Sequence, residues 1–401
     1  MNGKQTTGFR DDDEHTKPLW AGVISLSLGV FGLVTAEFLP ASLLTPMSHD
    51  LGVSIGAAGQ SVTMTAVVGA FAGPAVVVGT SRFDRRYTLL GLTALLILSS
   101  VLAALSSGMP MLLLSRALLG IGLGGFWAMS LALAMRLVPE RLMPRAMAII
   151  MGGVSAATVC AAPVGAWVGE LMGWRFAFVI TATLGVFAFL MQALTLPAMP
   201  SSGRANLGTM ASVLRRPAIR IGLLTILLAV AGHFAGFTFI RPFLEDVPHF
   251  GVEGVSGVLL AFGIGGFLGN FAGGFVSERN TALSITLAAG GIAIAALILA
   301  FAGASPVVAT IATTFWGFAF GALPVSVQSF VTQAASDEAE SAGALTLTTF
   351  QIAISSGAVF GGLIVGTHGP AGVFAFAGLS ALLGAMLIGF AGRTRLAATA
   401  G

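Results

Sequence analysis

The chain has 401 residues but only 19 basic and 16 acidic side chains, so 9% of it is charged, where a soluble domain carries roughly 25%. Apolar residues make up 56% and glycine fills 54 positions, which excludes both a soluble surface of this size and a polar disordered chain. The composition predicts a polytopic membrane protein.

The first 17 residues, with Asp11, Asp12, Asp13 and Glu14, read as a disordered cytoplasmic tail. A helix needs ~20 apolar residues to cross a bilayer, and twelve such stretches follow. They cover 19–44, 54–79, 88–108, 110–135, 146–169 and 174–195, then 218–244, 255–276, 281–303, 306–332, 342–366 and 371–391. The expected fold is an all-α membrane protein of twelve transmembrane helices. Residues 18–197 and 218–401 form two six-helix bundles, joined by a cytoplasmic linker at 198–217 that is rich in Pro, Ser, Gly and Arg. With both termini in the cytoplasm, every Lys and Arg except Arg116, Arg175 and Arg241 falls on that side, as the positive-inside rule requires.

The halves echo each other. Asp84-Arg85-Arg86 follows the second span, and Glu278-Arg279 follows the eighth. Repeated six-helix units predict a transporter with its site between the halves near the midplane.

Several chemistries are excluded. The two lysines, Lys4 and Lys17, lie in no phosphate-binding loop, so no ATP site of that type exists. Gly120-Ile-Gly122-Leu-Gly124-Gly125 matches a dinucleotide fingerprint but sits inside an apolar span, where it reads as a helix-packing surface. The five histidines show no metal-ligand spacing. No enzyme, cofactor, metal or nucleic-acid partner is expected. The partners are a small-molecule substrate, protons and the lipid bilayer, and the chain is expected to act as a monomer.

Ionisable residues inside a membrane are functional candidates by default. Glu37 in span one and Arg116 in span four fall at similar depth, where they can pair. The arginine favours an ionised Glu37 and apolar burial a protonated one, a balance suited to proton coupling. His233, near mid-depth beside Phe234 and Phe237, is a second proton candidate and a substrate hydrogen-bonder. Trp127, Trp316 and Gln328 are the other substrate candidates, the tryptophans as stacking surfaces. On a helix Arg116, Gly120, Leu123 and Trp127 share a face, so a cavity reached by Arg116 is expected to be lined by Trp127. Arg241, with Glu245 and Asp246, reads as an outer gate or interfacial anchor. Pro163 and Gly165 in span five read as a bendable contact between the halves.

These residues resemble the major facilitator superfamily. Asp84-Arg85-Arg86 is similar to the family's loop motif after span two, although Gly79 stands one residue too far from Asp84. Arg116 and Gly120 fit the span-four motif. Pro163 and Gly165 fit the antiporter motif of span five, where Ala162 replaces the usual glycine. Gly173-Trp174-Arg175-Phe176 is similar to the drug:proton antiporter branch. Glu37-Phe-Leu-Pro40, Ser42-Leu-Leu-Thr-Pro46, Gly59-Gln-Ser-Val62, Gly124-Gly-Phe-Trp-Ala-Met129 and Arg136-Leu-Val-Pro139 resemble bacterial purine-nucleoside exporters of this superfamily. That resemblance implies proton-coupled export of inosine and guanosine across the bacterial inner membrane by alternating access. It also implies gating roles for Asp84, Arg85, Arg86, Pro163, Gly165, Glu278, Arg279 and Arg241. Export of drugs or sugars by the same machine is the alternative, and a non-transporting membrane scaffold is the remote one.

Overall fold

The computed structural model describes residues 18–80, 82–139, 142–200 and 207–399. The expected tail at 1–17 and linker residues 201–206 lie outside them. The helices are α1 (Trp20–Leu51), α2 (Ile55–Gly79), α3 (Arg85–Ala104), α4 (Met109–Leu137), α5 (Met143–Met172), α6 (Trp174–Thr195) and the short α7 (Leu207–Leu214), followed by α8 (Pro217–Thr238), α9 (Ile240–Asp246), α10 (Val252–Arg279), α11 (Thr281–Ala302), α12 (Pro306–Ala334) and α13 (Ala339–Thr399). Among the described residues there is no strand. Among the described residues, eleven helices are long and apolar enough to cross a membrane.

Helix ends follow local chemistry. Gly52 ends α1 in the left-handed region (φ 64°), with its N–H turned back to His49 and Ser48 carbonyls. Asp84 caps α3 by accepting from the N–H of Arg86 at 2.8 Å, and Asn280 caps α11 by accepting from Leu283 at 2.9 Å. Proline opens α4, α5, α8 and α12. The stretch expected as one span over 218–244 is broken at Phe239 (φ −108°, ψ 19°) into α8 and α9. Pro242 has no N–H for the Thr238 carbonyl four residues back, so a regular helix cannot run through. The 61 residues of α13 contain a second break at Gly369 (φ 70°, ψ 179°), just before Pro370.

Close packing rests on glycine. A β-carbon added to Gly120 would stand 2.5 Å from the Thr65 carbonyl oxygen, and one on Gly124 2.5 Å from that of Gly69, so α4 and α2 touch backbone to backbone. The same arrangement joins α10 to α12, where Gly269 meets Phe318, Gly317 meets Phe262 and Gly321 meets Gly266. Helices α1–α6 pack mainly on one another, as do α8–α13, and the two sets meet along an α2–α13 seam and an α5–α10 seam.

The connections alternate between two faces. One carries Arg82, Arg85, Arg86, Arg136, Arg145, Arg215, Arg216, Arg220 and Arg279 and is called the basic face below. The opposite end is the far face. At the basic face Arg216 donates two hydrogen bonds to Asp337, at 2.7 and 2.6 Å. These bonds hold the Asp337 carboxyl down to about 2 and push the Arg216 guanidinium up. A depressed carboxylate contributes above its ordinary pKa and loses its effect only as pH falls through the depressed value. The link is therefore intact at every pH above about 4.

The glycine contacts predict an asymmetric response to one added methyl group. Gly124→Ala is expected to cost roughly 1–3 kcal/mol, read as a lower unfolding temperature of the detergent-purified protein. Gly91→Ala, at an exposed position with nothing within 4 Å, is expected to leave that temperature unchanged or higher.

Candidate functional site

The site begins with two prolines inside α1, Pro40 and Pro46. Neither carries an N–H, so the carbonyls four residues earlier, at Ala36 and Ser42, lose their helical partners. A buried carbonyl inside a membrane must find another donor. Arg116 of α4 donates from Nη2 to the Ala36 oxygen at 2.8 Å, and Arg241 of α9 donates from Nη1 to the Ser42 oxygen at 2.8 Å. Both arginines are almost fully buried, at 1% and 3% exposure.

Arg116 is further held by α2 through Nε, 3.1 Å from the Thr65 hydroxyl and 3.4 Å from the Ser61 carbonyl. Its guanidinium also lies 5.9 Å from the Phe178 ring centre. The expected Glu37–Arg116 juxtaposition takes a particular form. The guanidinium grips the backbone of Ala36, the residue next to Glu37, and no ion pair within 4.0 Å joins the two side chains. Glu37 is half-buried. Arg116 is enclosed within α1, α2, α4 and α6, so it does not share an open wall with Trp127. Trp127 is half-buried against the apolar core of the first six helices.

Arg241 ties the two helix sets together. Its Nε is 2.7 Å from Glu245, one turn on, and its Nη2 is 3.8 Å from Glu170 of α5. The second oxygen of Glu245 accepts from the Thr45 hydroxyl of α1 at 2.6 Å. Among the described residues, Thr45–Glu245, Arg241–Ser42 and Arg241–Glu170 are the polar contacts between the two helix sets, and all lie toward the far face.

His233 lies in an aromatic cluster. Its ring is stacked 3.4 Å from Phe320 and 5.5 Å from Phe237, with Trp316 edge-on at 5.1 Å. Phe38 of α1 reaches across to Phe234 and Phe237 at 6.2 and 5.7 Å. His233 and Trp316 are 1% and 0% exposed, and His233 Nδ1 and Trp316 Nε1 have no hydrogen-bond partner. Phe320 is the half-buried member that covers the histidine. Phe320 shields the His233 ring, and Trp316 is enclosed by His233, Phe237, Phe262 and Phe374. Gln328 is exposed nearer the basic face.

The loop residues stay within their own halves. Asp84 accepts from the Met199 N–H at 2.9 Å, Arg85 N–H donates to the Met199 carbonyl at 2.8 Å, and Arg86 donates to the Ala193 carbonyl at 2.6 Å. This sews the loop to the segment after α6. Glu278 and Arg279 are exposed. Pro163 is buried inside an unbroken α5, and a β-carbon on Gly165 would stand 2.6 Å from the Ser42 hydroxyl, which makes Gly165 part of the α1–α5 contact.

Sequence reasoning singled out Arg116 and Arg241 but missed what they hold. The signal was available, because a proline inside an apolar span names the carbonyl four residues earlier as unpartnered. Thr45, Glu170 and Gln351 were also missed. Gln351 is 3% exposed with its Oε1 unpartnered, and one glutamine in a long apolar run gave no sign of its neighbour.

The profile described as Major Facilitator Superfamily matches residues 26–358. The purine ribonucleoside efflux pump NepI of Escherichia coli strain K12 is 40% identical over 379 residues, 94% of this chain and 96% of that protein. The pump of the same name from Shigella flexneri gives the same figures. Crystal structures of a bacterial homologue of the human lysosomal transporter Spinster share the fold. The inward-facing unoccupied form has a TM-score of 0.71 at 19% identity, covering 94% of this chain and 96% of that one. The inward-facing occupied form has 0.72 at 18%, covering 96% and 98%. The chain belongs to the Major Facilitator Superfamily, as a multi-pass inner-membrane transporter and not an enzyme.

Proposed function

We propose that this transporter exports purine ribonucleosides by exchange for protons. The observation that carries the reading is the 40% identity, over nearly the whole length of both chains, to a purine ribonucleoside efflux pump. The aromatic cluster around His233 and Trp316, with two ring nitrogens lacking partners, supports a planar heteroaromatic cargo. Trp127 and Gln328 complete the candidate substrate surface, nearer the basic face.

In this reading α13 is two spans meeting at Gly369, which makes twelve. A straight helix of its 61 residues would measure ~92 Å, about three times the ~30 Å hydrocarbon core. The basic face is cytoplasmic, by the positive-inside rule, and so are both termini. The protein acts as a monomer with its site between residues 18–197 and 218–401. Substrate approaches from the basic face while the far face stays sealed.

Glu37 carries the proton. Arg116 supplies a fixed positive charge beside it yet spends its hydrogen bonds on Ala36, Ser61 and Thr65. The carboxylate is thus influenced by the guanidinium without being clamped to it. Protonation removes that attraction and favours reorientation of the halves. His233 is the second candidate for the same role. Arg241 is the far-face gate, and Pro163 and Gly165 are the flexible contact of α5. Asp84, Arg85 and Arg86 stiffen the basic-face end of the first half, with Glu278 and Arg279 in the matching place of the second.

Inverted vesicles bearing this chain are expected to take up labelled inosine when their interior is acidified, and a protonophore is expected to reduce uptake to the passive level. Uptake of a cationic dye or a sugar in place of inosine would sink the nucleoside reading. Glu37→Gln is expected to lower gradient-driven uptake at least ~10-fold, the scale on which a positioned proton-transfer group acts, while gradient-free exchange of inosine persists. Full gradient-driven uptake by that variant would move the proton to His233.

The gate is tested separately. Thr238, at the far-face end of α8, is fully buried. In a Cys160→Ser background, Thr238→Cys is expected to react slowly with a membrane-impermeant maleimide. Adding Arg241→Gln or Pro46→Ala is expected to accelerate labelling several-fold, because the first removes the donor and the second returns the Ser42 carbonyl to the helix. Unchanged labelling rates would show that these bonds do not hold the far face shut.

A further inference from the structure

Gln351 lies on α13 where that helix meets α2. Its amide nitrogen is 3.1 Å from the place a β-carbon on Gly69 would occupy, so the carboxamide packs against Gly69 of the other half. Gly69 is pinned from behind by α4, since its carbonyl is 2.5 Å from where a β-carbon on Gly124 would stand. Other close glycine contacts along the same boundary, Gly56 with Gly362 and Gly59 with Phe239, lie nearer the far face. A β-carbon on Gly73, one turn deeper, would meet Gly124 and Ala128 of its own half. Of these glycine contacts across the seam, the one made by Gln351 stands nearest the basic face.

The side chain is 3% exposed, and its Oε1 accepts no hydrogen bond. A buried amide oxygen without a partner costs on the order of 1–3 kcal/mol. A packing residue would avoid that cost as leucine or methionine. The cost is removed if a ligand brings a donor when the seam parts.

Resting on the nucleoside reading above, we propose that Gln351 is a specificity-determining residue that reads the hydrogen-bonding edge of the nucleobase. A carboxamide presents an N–H donor and a C=O acceptor side by side. The six-membered ring of a 6-oxopurine presents the complement, a ring N–H beside a carbonyl oxygen. Two parallel bonds to Gln351 thus fix the plane and orientation of the base, and Gly69 leaves the room for that plane because it has no side chain. A site built to bond a polar edge rejects an analogue lacking it far more strongly than it rejects a change of size.

The test compares inosine with purine riboside, which has the same sugar and ring system but no 6-oxo group. Uptake into inverted vesicles and the thermal shift of the detergent-purified protein are both measured. The full-length wild-type chain is expected to prefer inosine about tenfold or more. Gln351→Leu is expected to bring the two ligands within about twofold of each other, chiefly through weaker inosine binding. Gln351→Glu presents acceptors only, and is expected to shift preference toward guanosine, whose base edge carries two adjacent donor groups. The thermal shift reads discrimination even where a variant no longer transports. Unchanged discrimination in a folded Gln351→Leu protein, or an unchanged guanosine-to-inosine ratio in Gln351→Glu, overturns the proposal while leaving nucleoside export standing. Failure of both variants to fold also overturns it, by assigning Gln351 to packing. No inosine uptake or thermal shift in the wild type overturns the nucleoside reading and this inference with it.

Discussion

A bilayer offers no water to an unpaired carbonyl, and that constraint organises the centre of this protein. Helix α1 carries two prolines where an apolar span would otherwise satisfy itself, and each leaves one carbonyl without a donor. The remedies lie on different sides of the helix. Arg116 reaches Ala36 from within the first half, and Arg241 reaches Ser42 from the second. The two carbonyls are six residues apart, ~9 Å along the axis. One proline fixes a permanent charge inside the first bundle, and the other makes a bond between bundles.

This arrangement explains why two charges as unfavourable as buried arginines persist. Neither depends on a carboxylate alone. Arg116 is held by two backbone carbonyls and a hydroxyl, and Arg241 by a carbonyl as well as Glu245 and Glu170. The consequence for Glu37 is freedom. A carboxylate locked in a bidentate pair would be a structural element, whereas Glu37 stands beside a guanidinium already satisfied elsewhere, as the proposed proton exchange requires.

Much of the fold was legible because the bilayer imposes length and apolarity on every span. The helix boundaries in the chain follow the Pro, Gly and charge signals closely, including the break that separates 342–366 from 371–391. The site was less legible, because it depends on which side of a helix faces which neighbour. Arg116 and Trp127 do share a helical face by periodicity, yet Arg116 is drawn inward by the Ala36 carbonyl while Trp127 packs on apolar neighbours. His233 was visible as a rare residue at mid-depth, but not that Phe320 would stack over it. The interruption at Phe239 was missed because residues 218–244 are apolar enough overall to read as one span, and the cue, Pro242, lies three residues beyond the break.

The reversal at Gly369 is made without a loop. The α13 segment before it lines the seam against α2, and the segment after it carries Phe374, whose ring lies 4.4 Å from Phe243 and 5.5 Å from Trp316. Phe243 is two residues from Arg241. Gly369 is the one non-helical residue between the two segments. In the proposed transport cycle, a rocking movement that opens the seam at Gln351 pulls on this corner, and through Phe374 on the packing around Arg241 and on the tryptophan beside His233. The corner thus joins the seam, the far-face tie and the aromatic cluster in one continuous run of packed residues.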